Sequence, residues 1–138
     1  MNHKKLKSKL NNGGYTCIAY GQKGLFYSSY LRGIAPLVLL CEKSSVPKKL
    51  FIGDKVIGKA AALLCIKCGA AVLYADVISK DAISILSEHK VSLAYRERVD
   101  YIKNRSGDGK CPMEGLAYGV SSPDIMYKKA KAFIEGIR

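Results

Sequence analysis

The sequence predicts an α/β fold, a mixed sheet of about five strands with helices on both faces. Short apolar runs recur at Tyr15 to Tyr20, Leu25 to Ser29, Leu50 to Ile52, Val72 to Val77 and Val91 to Tyr95. Segments with helical composition or cap signals separate the later runs. The first two runs flank Gly21-Gln22-Lys23-Gly24, a hairpin turn. The order hairpin, helix, strand, helix, strand, helix, strand implies the mixed sheet. With 138 residues and no internal repeat or linker, the chain reads as a single domain, 1–138.

Taken in order, Asn2 to Asn11 is a short helix stopped by Asn12-Gly13-Gly14, and the hairpin follows. Arg32-Gly33-Ile34-Ala35-Pro36 leads into a helix reaching about Lys43, because proline is tolerated only in a first turn. Leu50 to Ile52 is a strand that hands over to a helix at Gly53 and Asp54. Asp54 is the natural N-cap, and the helix runs apolar on nearly every side to about Cys68, with Gly69 as its stop. Val72 to Val77 is a strand, Ser79 caps a helix from Lys80 to His89, and Val91 to Tyr95 is the last strand. Asn104 to Lys110 is a turn-rich loop, and Cys111-Pro112-Met113-Glu114 opens a short helix. Pro123 begins an amphipathic helix with Ile125, Met126, Phe133 and Ile137 as core contacts.

Charge and cysteine content narrow the function classes. Twenty-three basic against 11 acidic residues give a net charge of +12, but the lysines are scattered, with modest clusters at Lys4 to Lys9 and Lys128 to Lys131. There is no tryptophan, and the tyrosines do not interleave with basic residues, so nucleic acid is a possible partner and not the favoured one. No apolar run has the length of a membrane span and the N-terminus lacks the apolar stretch of a signal peptide. A cytoplasmic protein without a membrane partner is the expectation. The five cysteines are an odd number in a chain with ample core material, which argues against a disulfide scaffold.

The entrance to the central helix is the candidate site. If Asp54 opens that helix, Lys55 and Lys59 lie four apart on one face, beside free N–H groups and the positive end of the dipole. Gly58 in the first turn then makes room for a ligand or a neighbouring backbone. Gly53 to Lys59 fits G-x-x-x-x-G-K, yet Ala60 stands where a phosphate-binding loop needs a hydroxyl for magnesium, so that motif is rejected. Cys65-Ile66-Lys67-Cys68 falls at a helix C-terminus, where the dipole does not favour thiolate, and reads as buried apolar side chains. Cys111 precedes a helix-opening proline in a polar loop and is the candidate nucleophile.

Several of these stretches together resemble the bacterial and archaeal family called domain of unknown function 1893. They are Arg32-Gly33-Ile34-Ala35-Pro36-Leu37, Asp54 to Leu64, Tyr74-Ala75-Asp76-Val77-Ile78-Ser79, Tyr101-Ile102-Lys103-Asn104-Arg105 and Cys111-Pro112-Met113-Glu114. The resemblance spans nearly the whole chain and implies a cytidine-deaminase-like fold, a three-layer α/β/α sandwich, with no settled activity. Zinc deaminases carry H-x-E at one helix start and P-C-x-x-C at the next. The corresponding entrances here, Arg32 to Pro36 and Asp54 to Lys59, hold no histidine, cysteine or glutamate. Zinc-dependent deamination is therefore excluded, and neither a metal nor a cofactor is expected.

The resulting expectation is a zinc-free deaminase-fold protein that binds a small anionic ligand, nucleotide-like or phosphorylated, with action on that ligand left open. Arg32, Gly33, Lys55, Gly58 and Lys59 would hold the ligand, with Asn104 and Arg105 closing from the C-terminal loop. Asp54 and Cys111 are the candidate catalytic residues. The rival reading is a non-catalytic binding or interaction module, RNA being one partner it could take. Oligomeric state is not legible.

Overall fold

A computed structural model describes residues 1–136. Five strands form one mixed sheet in the order β2-β1-β3-β4-β5. The strands are β1 (Cys17–Gly21), β2 (Gly24–Ser29), β3 (Leu50–Ile57), β4 (Ala70–Ser79) and β5 (Ser92–Val99), and the helices are α1 (His3–Asn12), α2 (Ala35–Cys41), α3 (Lys59–Lys67), α4 (Lys80–Glu88), α5 (Pro112–Ala117) and α6 (Pro123–Gly136). β1 pairs antiparallel with both β2 and β3. β3, β4 and β5 run parallel, joined by α3 and α4 as crossover helices.

Alternation along the strands divides the core between the two faces. Ile18 and Tyr74 point towards Leu6 and Leu10 of α1. Cys17, Ala19, Ile52 and Leu73 point the other way, into a larger core with residues of α2, α3, α4, α5 and α6. The helix caps explain several boundaries. Asn2 accepts from the N–H of Lys5 to start α1, and Ser79 accepts from the N–H of Ala82 to start α4. Gly69, at φ +87°, ends the stretch after α3 in the left-handed region that glycine favours.

The largest correction lies at the β3–α3 junction. Asp54 does not cap a helix. The strand runs on through Asp54, Lys55, Val56 and Ile57, since β1 bonds it on one side and β4 bonds it on the other as far as Ile57 opposite Ile78. Two partners and two β-branched residues outweigh the capping preference of aspartate. Gly58 becomes the N-cap, without a side-chain cap bond, and α3 begins at Lys59. Lys55 and Lys59 therefore share no helical face, and Gly53 to Lys59 contains no loop able to wrap a phosphate.

β5 continues to Val99, past the expected end at Tyr95, as an edge strand whose exposed Arg96, Glu97 and Arg98 disguise it as loop. In α6, Met126 is buried and Phe133 half-buried, but Ile125 is exposed. Ile137 lies outside the described residues. Among the described residues no helix is long and apolar enough to cross a membrane.

Candidate functional site

A cavity of about 250 Å³ opens at the C-terminal end of β3, where α/β sheets commonly receive ligands. Asp54, Lys55, Val56 and Gly58 form one wall, Ala60 and Ala61 of α3 another. Thr16, Arg32, Gly33 and Ile34 close it from the α2 side, and Ile102, Cys111, Met113 and Glu114 from the C-terminal side.

Local hydrogen bonds hold these walls. The Thr16 hydroxyl reaches the carbonyls of Ser29, at 2.9 Å, and Leu31, at 2.7 Å, fixing the approach to Arg32. Gly33 has φ +67°, so a side chain there would be strained. Ile102 donates its N–H to Glu114 Oε2 at 3.3 Å, and Cys111 donates its N–H to the Ile102 carbonyl at 2.9 Å. Gly58 is needed for closure. A Cβ there would lie 2.9 Å from Glu114 Oε1 and 3.0 Å from Ile102 Cγ1, so the glycine makes room for neighbouring side chains.

Asp54 is the unusual member of the cavity wall. It is 6% exposed, and burial pushes its carboxyl up to about 7. The N–H of Val56 donates to Oδ1 at 3.1 Å, and the Cys17 thiol on the neighbouring strand also acts to lower the carboxyl, but neither offsets the burial. A carboxyl that titrates near neutrality can both accept and release a proton at working pH. Its neighbour in sequence faces the opposite way: the Lys55 ammonium lies 3.3 Å from Asp76 and bonds Asn11 of α1. Lys55 thus forms part of the cavity wall while its charge serves the other face of the sheet.

The structure brings Arg32, Gly33, Asp54, Lys55, Gly58 and Cys111 around one cavity. Asn104 and Arg105 line an adjoining cleft of about 610 Å³, which shares Arg32, Gly33 and Cys111 with the first. Asn104 is occupied with its own loop, accepting from Gly107 N–H at 2.9 Å and donating to Asp108 at 3.1 Å. Lys59, the first residue of α3, is half-buried and lines neither cavity.

Residues 5–134 match the family model described as Domain of unknown function (DUF1893). The chain belongs to the DUF1893 family. A crystal structure of a DUF1893 family protein from Thermotoga maritima superposes with a TM-score of 0.83 at 23% identity, over 94% of this chain and 87% of that one. At that identity the likeness speaks for the fold alone. No functionally curated protein matches the chain.

Glu114, which lines the cavity and accepts from the Ile102 N–H, is a residue of this DUF1893 chain that sequence reasoning passed over. Its signal was the Cys111-Pro112-Met113-Glu114 stretch, read only as a helix start. Thr16 carried no signal, since its contribution is made through backbone carbonyls far along the chain. The helix that Cys111 precedes has only six residues, and the Cys111 side chain makes no cap bond. Its placement on the wall of both cavities is what distinguishes it.

Cys17, Cys65 and Cys68 are buried, and Cys41 is half-buried as Cys111 is, with its sulfur turned to Cys68 and the Leu64 carbonyl. Cys17 and Cys65 are fully buried and burial pushes both well above the ordinary thiol range. Cys68 is raised by its hydrogen bond with Cys41, 2.8 Å away, and then by burial. A limiting amount of iodoacetamide at neutral pH is therefore expected to label Cys111 first, as peptide mass mapping would show. First labelling of Cys65 would mean that α3 is not packed as described, and of Cys41 that the Cys111 thiol turns away from the cavity.

Proposed function

We propose that this DUF1893 chain is a zinc-free relative of the cytidine-deaminase-like three-layer α/β/α sandwiches, and that its cavity binds a small anionic ligand. One helix on one face of the sheet and five on the other support the layered reading. The family analogy puts a reactive centre where the entrances to α2 and α3 meet, which is where the cavity lies. The residues at those entrances, Arg32 to Pro36 and Gly58 to Ala61, include no histidine or cysteine and do not fit the zinc of that fold.

The observation that carries the reading is Asp54, a buried carboxyl titrating near 7 on the wall of a largely apolar cavity. Arg32 holds the anionic part at the mouth, with Arg105 in the adjoining cleft. Val56, Ile102 and Met113 receive an uncharged or planar body, and Asp54 exchanges a proton with it. Cys111 stands between the two cavities as a nucleophile that the ligand can reach.

Thermal melts at pH 7 with inorganic phosphate and a set of nucleoside monophosphates test the ligand class. A ligand at one hundred times its Kd is expected to stabilise the chain by about 2.7 kcal/mol, and Arg32→Gln to remove most of that gain. Equal stabilisation of both proteins, or none by any member of the set, would sink the assignment.

A further inference from the structure

On the opposite face of the sheet, between α1 and the ends of β3, β4 and β5, lies a groove of about 690 Å³ that the cavity chemistry does not use. Lys4 and Lys7 of α1, Lys55 and Arg96 line it together with Asp76. The one acid there is already matched. Asp76 accepts from the Tyr74 hydroxyl at 2.7 Å and from Asn11 at 3.3 Å, and pairs with Lys55 at 3.3 Å. Lys4, Lys7 and Arg96 have no ion-pair partner among the described residues, and α1 contains no acidic residue.

An aromatic platform adjoins one end of the groove. Asn12 lines the groove, and the carbonyl of the next residue, Gly13, accepts from the Tyr30 hydroxyl at 3.5 Å. Tyr30 stacks on Tyr15 with centroids 4.9 Å apart and 25° between planes, yet stays 64% exposed. Gly13 permits this arrangement, because a Cβ there would lie 2.2 Å from the Tyr15 ring. Unpaired cations along a groove and an exposed ring held one residue beyond its lining are the two parts of a single-strand binding surface.

We propose that the α1 face binds single-stranded nucleic acid, with its phosphates along Lys4, Lys7 and Arg96 and a base stacked on Tyr30. A duplex keeps its bases stacked on each other and offers none to the ring. A membrane surface is disfavoured because α1 exposes no apolar anchor, Leu6 and Leu10 both being fully buried beneath it. The proposal is independent of the Asp54 cavity on the other face.

The test is fluorescence anisotropy with a labelled oligouridylate of about twelve nucleotides, titrated between about 50 and 200 mM salt. The triple variant Lys4→Gln, Lys7→Gln, Arg96→Gln changes exposed residues only, and a thermal melt checks its fold. It is expected to bind more weakly, with a salt slope shallower by about 2, at roughly 0.7 per lost phosphate contact. Tyr30→Ala is expected to weaken binding about 5- to 150-fold while leaving the slope unchanged. Asp54→Asn should bind the oligonucleotide as the wild type does, which separates this proposal from the cavity reading. No binding at the lowest salt, unchanged binding by the triple variant, equal affinity for a duplex, or binding only to phosphatidylserine vesicles would each overturn it.

Discussion

Replacing Asp54 by asparagine is expected to stabilise the protein by about 4 kcal/mol at pH 8 and to change little at pH 4. The unfolded carboxyl ionises at an ordinary value near 3.8, whereas burial raises the folded one to about 7. Between those values the folded state holds a proton that the unfolded state has lost. Stability therefore falls as pH rises from about 4 to about 7, then levels off. Asparagine resembles the protonated form, can still accept from the Val56 N–H, and has nothing to ionise. Urea melts of both proteins from pH 4 to pH 8 would show a difference that grows with pH. A constant difference would mean that Asp54 is not buried in the way described.

Asp76, on the other face of the same sheet, behaves in the opposite sense. Burial works to raise its carboxyl, but the Tyr74 hydroxyl, Asn11 and Lys55 outweigh that and hold it below the usual range. Its contribution is present above the unfolded value and is lost as pH falls through the folded one. The contrast separates two uses of a buried acid. Asp76 is bonded and ion-paired, and so adds to stability above its unfolded value. Asp54 lacks a cation, lowers stability at neutral pH and lies on a cavity wall, as a proton-exchanging group in a site would.

How far the sequence discloses this depends on whether the deciding contact is local. Ser79 and Ala82 are three residues apart, so the start of α4 is legible. The β3–α3 boundary is not, because the bonds that keep Asp54 in a strand come from Cys17 on β1 and Ala75 on β4. A capping residue followed by alanines and leucines gives the wrong local answer there. The gathering of Arg32, Asp54, Gly58 and Cys111 around one cavity survives that error, since a strand end and a helix start adjoin the same place in an α/β sheet. The direction of the Lys55 side chain does not survive it. Moving the residue from helix to strand turns it to the face opposite Asp54.

The same distinction predicts which apolar residues carry the fold. Leu64→Ala is expected to cost about 2–5 kcal/mol, lowering the thermal midpoint by roughly 10 °C. Leu64 is fully buried in α3, where every residue from Ala60 to Cys65 is buried and the helix packs against α2, α4, α5 and α6 as well as the sheet. Surroundings held from so many sides cannot collapse into the space the side chain leaves. Ile125→Ala should cost less than about 0.5 kcal/mol, although its place in the α6 pattern reads as core, because the side chain is 51% exposed. Thermal melts of the two variants read the difference directly. A loss at Ile125 as large as that at Leu64 would mean that the α6 surface is covered by something in solution, and a small loss at Leu64 would mean that the core beside α3 is loose enough to refill.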